Sequence, residues 1–159
     1  MPKTQTLDGP KLDDFICFAV YAAGHAFNRV YKPLLDALGL TYPQYLAMTA
    51  LWGEDDQTVG ALGGQLSLEY STLTPLLKRL ERLGMISRRR DPQDERQVRV
   101  RLTAKGKALQ HRASSLPSCI REASGMSEAE LKRLQGDIVR LGESLGRYAA
   151  SHASLAERP

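Results

Sequence analysis

Cysteine and histidine are scarce in this 159-residue chain, and their positions exclude several classes of protein. The two cysteines, Cys17 and Cys119, lie far apart and form neither a disulfide framework nor a CxxC metal motif. Three isolated histidines, His25, His111 and His152, lack the spacing of metal ligands. We therefore expect no bound metal and no cofactor, and any role of the cysteines would be individual or redox chemistry.

Long apolar runs are absent as well. No stretch reaches the roughly 18 uninterrupted apolar residues that a membrane-spanning helix requires, and the segment from Met1 to Leu12 lacks the basic-then-apolar layout of a signal peptide. The sequence therefore predicts a cytoplasmic protein without a membrane partner. With 42% hydrophobic residues, the chain is suited to a single domain or a small helical bundle with one extension.

Positive charge is concentrated in one segment of the chain. The net charge is +4, yet the segment from Lys78 to Arg101 alone has nine basic and four acidic residues. Such a concentration is typical of contact with a polyanion, because neutralised phosphates release bound counterions. A solvated charged face would have the same composition, so the structure around the charges has to decide between the two interpretations.

Apolar periodicity predicts a series of helices in the first part of the chain. Apolar residues from Leu12 to Val30 recur at spacings of three and four, and a second apolar helix follows from about Gln44 to Trp52. Thr58 is placed to cap a short third helix. After a polar break, leucines from Leu73 to Leu83 mark one face of a fourth helix, with Pro75 expected in its first turn. Two short helices in series indicate a helix-turn-helix.

The basic segment continues as a predicted β-hairpin. Ile86 to Arg90 and Val98 to Leu102 flank an acidic turn, and alternation in the second strand places arginine on the outer face. Thr103 is placed to cap a helix that runs to about Ser115, and Ser127 to Glu130 form a capping box for the last helix. The apolar residues of that helix form a narrow seam that suits a partner helix, at Leu131, Leu134, Ile138, Leu141, Leu145 and Tyr148.

These elements predict a mainly α-helical fold with a small β-hairpin wing, that is, a winged helix-turn-helix with terminal helices. We assign residues 43–102 to the winged helix-turn-helix DNA-binding domain, and residues 1–42 and 103–149 to a helical dimerisation region. Residues 150–159 are expected to form a frayed tail. A homodimer of such domains is suited to a pseudo-palindromic operator in double-stranded DNA.

The fourth helix has the side chains that docking in the major groove requires. Short hydroxyls at its start approach base edges, and cations further along contact phosphates. In the hairpin turn, Arg96 is placed to enter a minor groove while Asp94 positions it. Capping by Ser71 and Thr72, and a plain surface ion pair in the turn, are the alternatives. The predicted DNA-binding residues are Ser71, Thr72, Thr74, Lys78, Arg79, Arg88, Asp94 and Arg96.

Several strings in the sequence resemble a known family. The segment STLTPLLKRLERLG, from Ser71 to Gly84, is followed by Ile86-Ser87-Arg88 and Asp94-Glu95-Arg96. In this order the strings resemble the winged-helix regulators of the multiple antibiotic resistance (MarR) type. The resemblance extends from about Leu12 to Leu145, and it implies a DNA-binding regulator of transcription.

A narrower resemblance is to the organic hydroperoxide resistance repressors of that family, of the two-cysteine type. It rests on Cys17-Phe18 with Tyr21 and on the strings YKPLLD and LTYPQYL. In such repressors a reactive cysteine receives hydrogen bonds from two tyrosines, and the resemblance gives these roles to Cys17, Tyr31 and Tyr42. Phe18 would line an apolar pocket that favours organic hydroperoxides, and Tyr21 would form a third wall or part of the core.

The resemblance also implies a mechanism. An organic hydroperoxide oxidises Cys17 to a sulfenic acid, and Cys119 of the partner subunit resolves it as a disulfide, which lowers the affinity for the operator. From the residues alone, Cys17 in an apolar helix is more typical of a small core residue, and Cys119 would be an inert exposed thiol. We expect a redox-sensing repressor of an organic hydroperoxide detoxification gene and of its own gene.

Two other functions would use the same residues. A regulator of the same fold would bind an aromatic small molecule noncovalently, with Cys17 as a packing residue. A thiol peroxidase would use the same cysteine in an enzyme, although that function gives no reason for the basic hairpin. We expect no enzymatic activity, and the response of a Cys17→Ser protein separates the sensor from the noncovalent regulator.

Overall fold

The computed structural model describes residues 11–156 of the chain. A short 3-10 helix (Leu12–Asp14) precedes the main elements. These are α1 (Ile16–Asp36), α2 (Tyr42–Gly53), β1 (Gln57–Thr58), α3 (Val59–Leu66), α4 (Tyr70–Arg82), β2 (Ile86–Arg90), β3 (Val98–Leu102), α5 (Ala104–Ala113), α6 (Leu116–Ser124) and α7 (Glu128–Ala156). The predicted fold class, mainly helical with a small wing, is confirmed.

Side-chain caps define where the helices begin. Thr41 caps α2 in a reciprocal box, because its Oγ1 accepts from the Gln44 N–H at 3.4 Å while Gln44 Oε1 accepts from the Thr41 N–H at 2.8 Å. Thr58 and Thr103 cap α3 and α5 by accepting the N–H three residues further on, at 3.1 Å in each case. The predicted capping roles of Thr58 and Thr103 are therefore confirmed.

The wing is a three-stranded antiparallel sheet with the order β1-β3-β2. The sequence predicted only the hairpin of β2 and β3, because a strand of two residues is too short for an alternating pattern. Gln57 of β1 lies opposite Val100 of β3, and Arg89 of β2 lies opposite Arg99. The buried Gln57 amide donates to the Glu54 carbonyl at 2.6 Å, which ties β1 to the end of α2.

One apolar core fixes the position of α4. Four leucines of the predicted face, Leu73, Leu76, Leu77 and Leu80, are buried against α2, α3 and the sheet. Burial of each such side chain stabilises the fold by about 1.5–3 kcal/mol, so α4 is held rigidly with its polar face outward. Leu83, which was predicted to belong to the same face, is 39% exposed. The largest fully buried side chains are Met48, Leu51, Leu62, Leu73, Leu77, Leu80, Ile86 and Val100.

The structure differs from the predicted organisation in several boundaries. Because α4 begins at Tyr70, Pro75 lies in its second turn and not in the first. The chain divides into two compact units after Leu116, and the first includes α1 and α5, whose residues Leu35 and Leu109 join the core. Between the helix predicted to end near Ser115 and the capping box at Ser127, the structure has a further helix, α6.

The last helix begins where the capping box predicted it, because the Ser127 hydroxyl accepts from the Glu130 N–H at 3.3 Å. It continues to Ala156, so most of the segment expected as a frayed tail is helical. The remaining three positions lie outside the described residues.

Two helices have apolar faces that remain exposed, one in each unit. In α1 only Leu35 is buried, whereas Ile16 is 66% exposed. In α7, up to His152, no residue is buried, and Leu145 is 60% exposed. The exposed apolar set of α1 is Ile16, Val20, Tyr21, Phe27 and Val30, and that of α7 is Leu134, Ile138, Val139, Leu145 and Tyr148. Within residues 11–156, no helix has the length and apolar character needed to cross a membrane.

Candidate functional site

The exposed side of α4 presents the predicted hydroxyls and cations. Ser71, Thr72, Lys78 and Arg79 are all exposed, whereas Thr74 is half-buried. The N-cap residue of α4 is Glu69, which makes no side-chain hydrogen bond to the helix end. Ser71 and Thr72 therefore lie inside the helix and do not cap it, and their hydroxyls project from its first turn.

Arg88 joins the wing to α4. Its Nε and Nη2 donate to Glu81 Oε2 at 3.0 and 2.8 Å, and its backbone N–H donates to Glu81 Oε1 at 3.0 Å. These hydrogen bonds lower the pKa of Glu81. The guanidinium of this predicted DNA-binding residue therefore binds a carboxylate of α4 and links β2 of the wing to that helix.

The tip of the wing is organised by Asp94. Its Oδ1 accepts the backbone N–H of Arg96 at 3.1 Å and its Oδ2 accepts the Gln97 amide at 3.1 Å. Within residues 11–156, the Arg96 guanidinium forms no salt bridge and is exposed. The surface ion pair considered as an alternative is absent from this part of the chain, because Asp94 binds the backbone of Arg96 and leaves its charge available to DNA.

Two further arginines of the wing form salt bridges with acidic residues that were not among the predicted site residues. Arg99 Nε lies 2.8 Å from Asp56 Oδ1, and Arg99 Nη1 lies 3.0 Å from Asp91 Oδ2. Arg101 Nη2 lies 2.5 Å from Asp56 Oδ2. The basic segment is therefore less positive than its composition implies. Within the described part of the chain, its exposed cations without a salt bridge include Arg96 at the tip, Arg89 and Arg90 in β2, and Lys78 and Arg79 in α4.

Cys17 is the second residue of α1, and its side chain is exposed with a free thiol. Tyr31 lies on the same helix, and a rise of 1.5 Å per residue places it about 21 Å further along the axis. The described chain therefore does not bring the two side chains together. The predicted hydrogen bond between them is impossible within one straight helix.

Tyr31 and Tyr42, in contrast, lie side by side. Their ring centroids are 4.8 Å apart, and Tyr45 lies 5.9 Å from Tyr31. Burial, followed by the neighbouring phenols, raises the pKa of Tyr31 to about 12, and burial also raises the pKa of Tyr42. Both hydroxyls are thus protonated at neutral pH and able to donate hydrogen bonds.

The aromatic residues next to Cys17 form a row along α1. The rings of Phe18 and Tyr21 are 6.5 Å apart, and Tyr21 meets His25 edge-on at 4.4 Å. Phe18 is half-buried, whereas Tyr21 is 63% exposed. The row is an aromatic wall that begins one residue after Cys17 in the sequence. His25 belongs to it and could have been found from its spacing of four residues from Tyr21.

Cys119 lies within α6, half-buried and with a free thiol. Neither of the two helices predicted for this part of the chain included Cys119. Its position in a helix fixes the direction of its side chain, as the position of Cys17 in α1 does for the first thiol.

A helix-turn-helix with exposed hydroxyls and cations, followed by a wing with a free arginine at its tip, defines a winged-helix DNA-binding protein. Comparisons with known proteins agree. A family model for the transcriptional regulators SarA/Rot matches residues 29–112. An organic hydroperoxide resistance transcriptional regulator is 44% identical over 87% of this chain, so the chain belongs to the MarR family of winged-helix transcriptional regulators and to the group of the organic hydroperoxide resistance regulators.

Individual relatives cover most of the chain. The organic hydroperoxide resistance transcriptional regulator of Bacillus subtilis is 44% identical over 138 residues, which are 87% of this chain and 94% of that protein. The HTH-type transcriptional regulator TtmR of Methylorubrum extorquens is 44% identical over 151 residues, which are 95% of this chain and 77% of that protein.

Solved structures of AbfR of Staphylococcus epidermidis have the same fold. Reduced AbfR bound to DNA is 34% identical, with a TM-score of 0.72 over 84% of this chain and 93% of that one. The disulfide form of AbfR is 32% identical, with a TM-score of 0.60 over 87% of this chain and 92% of that one.

Proposed function

We propose that this protein is a redox-sensing repressor, which releases operator DNA when an organic hydroperoxide oxidises Cys17. The observation that carries the proposal is the exposed, free Cys17 thiol beside an aromatic wall, in a regulator 44% identical to an organic hydroperoxide resistance regulator. Among the structures of AbfR are a reduced form bound to DNA and a disulfide form, so a relative of this fold undergoes thiol oxidation. A regulator of operator DNA acts in the cytoplasm.

The sensing site is completed by a second copy of the chain. Hydrogen bonds from phenols stabilise a thiolate, and Tyr31 and Tyr42 are paired, protonated donors. Because the helix separates Tyr31 from Cys17 of its own chain by about 21 Å, the donors to Cys17 are Tyr31 of the partner subunit and Tyr42 of the partner subunit. The exposure of Cys17 in a single chain is explained in the same way.

Oxidation of Cys17 needs no oxidant other than the hydroperoxide. The Cys17 thiolate attacks the distal oxygen of the hydroperoxide, the O–O bond breaks, and the leaving alkoxide takes a proton to become an alcohol. The sulfur, oxidised by two electrons, is then a sulfenic acid. The thiol of Cys119 of the partner subunit condenses with it, so that an S–S bond forms and water leaves. Reduction by a dithiol restores both thiols.

The exposed apolar face of α1 and the predicted apolar seam of α7, which runs from Leu131 to Tyr148, are proposed to form a homodimer interface. We expect Ile138→Asp, a change on the apolar seam, to shift the reduced protein towards monomer at micromolar concentration in light scattering, since a charge in an apolar interface is costly. Val139→Asp is the matched control, because Val139 is as exposed (50% against 47%) but lies off the seam. A wild-type monomer that still binds a palindromic duplex tightly would contradict the interface.

Arg96 is proposed to contact DNA in the minor groove. We expect Arg96→Ala to weaken binding by about 1–3 kcal/mol, because each wing loses its one unpaired cation at the tip. Binding is measured by fluorescence anisotropy on a duplex that the wild-type protein selects from a random-sequence pool. Arg133→Ala removes the same charge from α7, a helix outside the unit that contains the wing, so it should bind as wild type does. Equal affinity of the two variants would remove the wing from the mechanism.

The proposal takes Cys17 as a sensor and not as an enzyme nucleophile. A thiol peroxidase would consume hydroperoxide continuously with dithiothreitol as reductant, far beyond one equivalent per subunit. We expect consumption of about one equivalent of hydroperoxide per Cys17 before operator release is complete. Steady turnover that is unaffected by DNA would favour the enzyme.

A further inference from the structure

The turn between α2 and β1 lies in the body of the DNA-binding unit, and its carboxylates reach across to the wing. We propose that Asp56 is a positioning residue for operator binding, which holds the wing through Arg99 and thereby directs Arg96 at the tip. The inference rests on the proposed contact between the wing and DNA. Asp56 itself makes no contact with DNA in this scheme.

The first link joins the turn to β3. Asp55 Oδ1 accepts the backbone N–H of Asp56 and that of Leu102, each at 2.8 Å, so the turn is fixed against the strand. Asp56 then binds two arginines of β3, with Oδ1 2.8 Å from Arg99 Nε and Oδ2 2.5 Å from Arg101 Nη2. The carbonyl oxygen of Asp56 accepts a further hydrogen bond from Arg99 Nη2.

The second link runs from Arg99 to the tip of the wing. Arg99 Nη1 donates to Asp91 Oδ2 at 3.0 Å, and the Asp91 N–H donates to the Gln97 carbonyl at 2.9 Å. Gln97 N–H donates to the Asp94 carbonyl at 2.9 Å, and Asp94 Oδ1 accepts the Arg96 N–H at 3.1 Å. An unbroken series of hydrogen bonds therefore connects Asp56 with the backbone of Arg96.

The charges of the wing explain why this link is needed. Arg89 lies directly opposite Arg99 in the sheet, and like charges in this position destabilise a strand pair. Asp56 and Asp91 neutralise Arg99 from both sides. The hydrogen bonds of Arg101 and Arg99 hold the pKa of Asp56 well below its usual range, so it is ionised at neutral pH.

The backbone of Asp56 also indicates a constrained position. Its φ of +59° is in the left-handed region, which is unfavourable for residues other than glycine unless the surrounding structure imposes it. The hydrogen bonds of Asp55 and Arg99 supply that constraint. A glycine would adopt the turn more readily, but it would lack the carboxylate that reaches the wing.

The sign of the change in DNA affinity distinguishes a positioning role of Asp56 from a simple effect of its negative charge. Removal of an acidic group near a DNA-binding surface raises the local positive charge, which by itself strengthens binding to DNA. Loss of a positioning contact weakens binding, because Arg96 then has to be ordered when the complex forms. The two interpretations therefore predict opposite changes in affinity for the same substitution.

The test uses Asp56→Asn in the full chain, with the duplex selected by the wild-type protein and fluorescence anisotropy at several salt concentrations. We expect binding about tenfold weaker than wild type with an unchanged salt slope, since no phosphate contact is lost. In an Arg96→Ala background the same substitution should have no further effect. Asp13→Asn, an identical change at an exposed position outside the wing, is the control and should leave affinity unchanged.

Thermal unfolding is measured for each variant, so that affinity is compared at a temperature where all are folded. Asp91→Asn breaks the next link while Asp56 keeps Arg101, and it should reproduce the loss of affinity. Equal or tighter binding by Asp56→Asn, or the same loss in the Arg96→Ala background, would overturn the positioning role alone. A wild-type protein that selects no duplex at all would instead overturn the proposed function.

Discussion

Replacing Cys17 with serine is expected to abolish release of the operator by organic hydroperoxide. The serine protein should bind the selected duplex as wild type does while both are reduced, because Cys17 belongs to α1 and not to α4 or the wing. After treatment with cumene hydroperoxide, the wild-type complex should dissociate and the serine complex should persist, since a hydroxyl cannot form a sulfenic acid. A mobility shift before and after treatment, and again after dithiothreitol, measures the effect.

Cys119→Ser is the informative companion to this experiment. Oxidised wild-type protein should give a band of dimer mass on a non-reducing gel, and Cys119→Ser should lose that band while Cys17 still reacts. Without a resolving thiol, Cys17 proceeds to sulfinic acid, so dithiothreitol should no longer restore DNA binding fully. If hydroperoxide still released the Cys17→Ser protein from DNA, the redox sensor would be wrong, and a regulator of noncovalent aromatic ligands would replace it.

The winged helix-turn-helix could be predicted because the patterns that define it involve residues close together in the sequence. The leucine face of α4 recurs within thirteen residues, and the caps at Thr58 and Thr103 each involve a partner three residues away. The order of these patterns along the chain is sufficient to predict a winged helix-turn-helix. The exact start of α4 could not be predicted from the sequence, because its N-cap residue, Glu69, makes no side-chain capping hydrogen bond.

The arrangement that orients the wing could not be predicted in this way. Asp56 and Arg99 are separated by 43 residues, and the short strand β1 that brings their segments together has no periodicity. The partner of Arg88 could not be predicted either. Its place in the basic segment suggests contact with DNA, but its guanidinium binds Glu81. Counting charges along a segment therefore overestimates the number of cations that DNA can reach.

The thiol site shows an intermediate case. The rise of a helix alone separates Cys17 from Tyr31, so the sequence already excludes their contact within one chain once α1 is recognised as continuous. What required the structure was the pairing of Tyr31 with Tyr42, whose helices meet at the aromatic cluster. The two observations together are the basis for the proposal that the sensing site forms only in a dimer.

Gly106 is the residue at which the smallest added group should have the largest effect on stability. An alanine Cβ at this position would lie 2.1 Å from the carbonyl oxygen of Met85 and 3.3 Å from the Leu102 side chain. The Met85 carbonyl cannot move freely, because it accepts the Thr103 N–H at 3.0 Å. Gly106 is held from the other side as well, since its own carbonyl accepts from Trp52 Nε1 at 2.9 Å.

Gly106→Ala is therefore expected to lower the free energy of unfolding by about 3 kcal/mol, with a fall in melting temperature of roughly 6–12 °C. The measurement is thermal unfolding followed by circular dichroism, at one protein concentration and under reducing conditions, because the proposed dimerisation would make the midpoint concentration-dependent. Gly64→Ala in α3 is the matched control, since its Cβ would meet nothing within 4 Å, and it should gain about 0.5–1 kcal/mol from lower chain entropy in the unfolded state. Equal melting of the two variants would mean that β2 and α5 do not approach as closely as this packing requires, and the wing would then lack its fixed base.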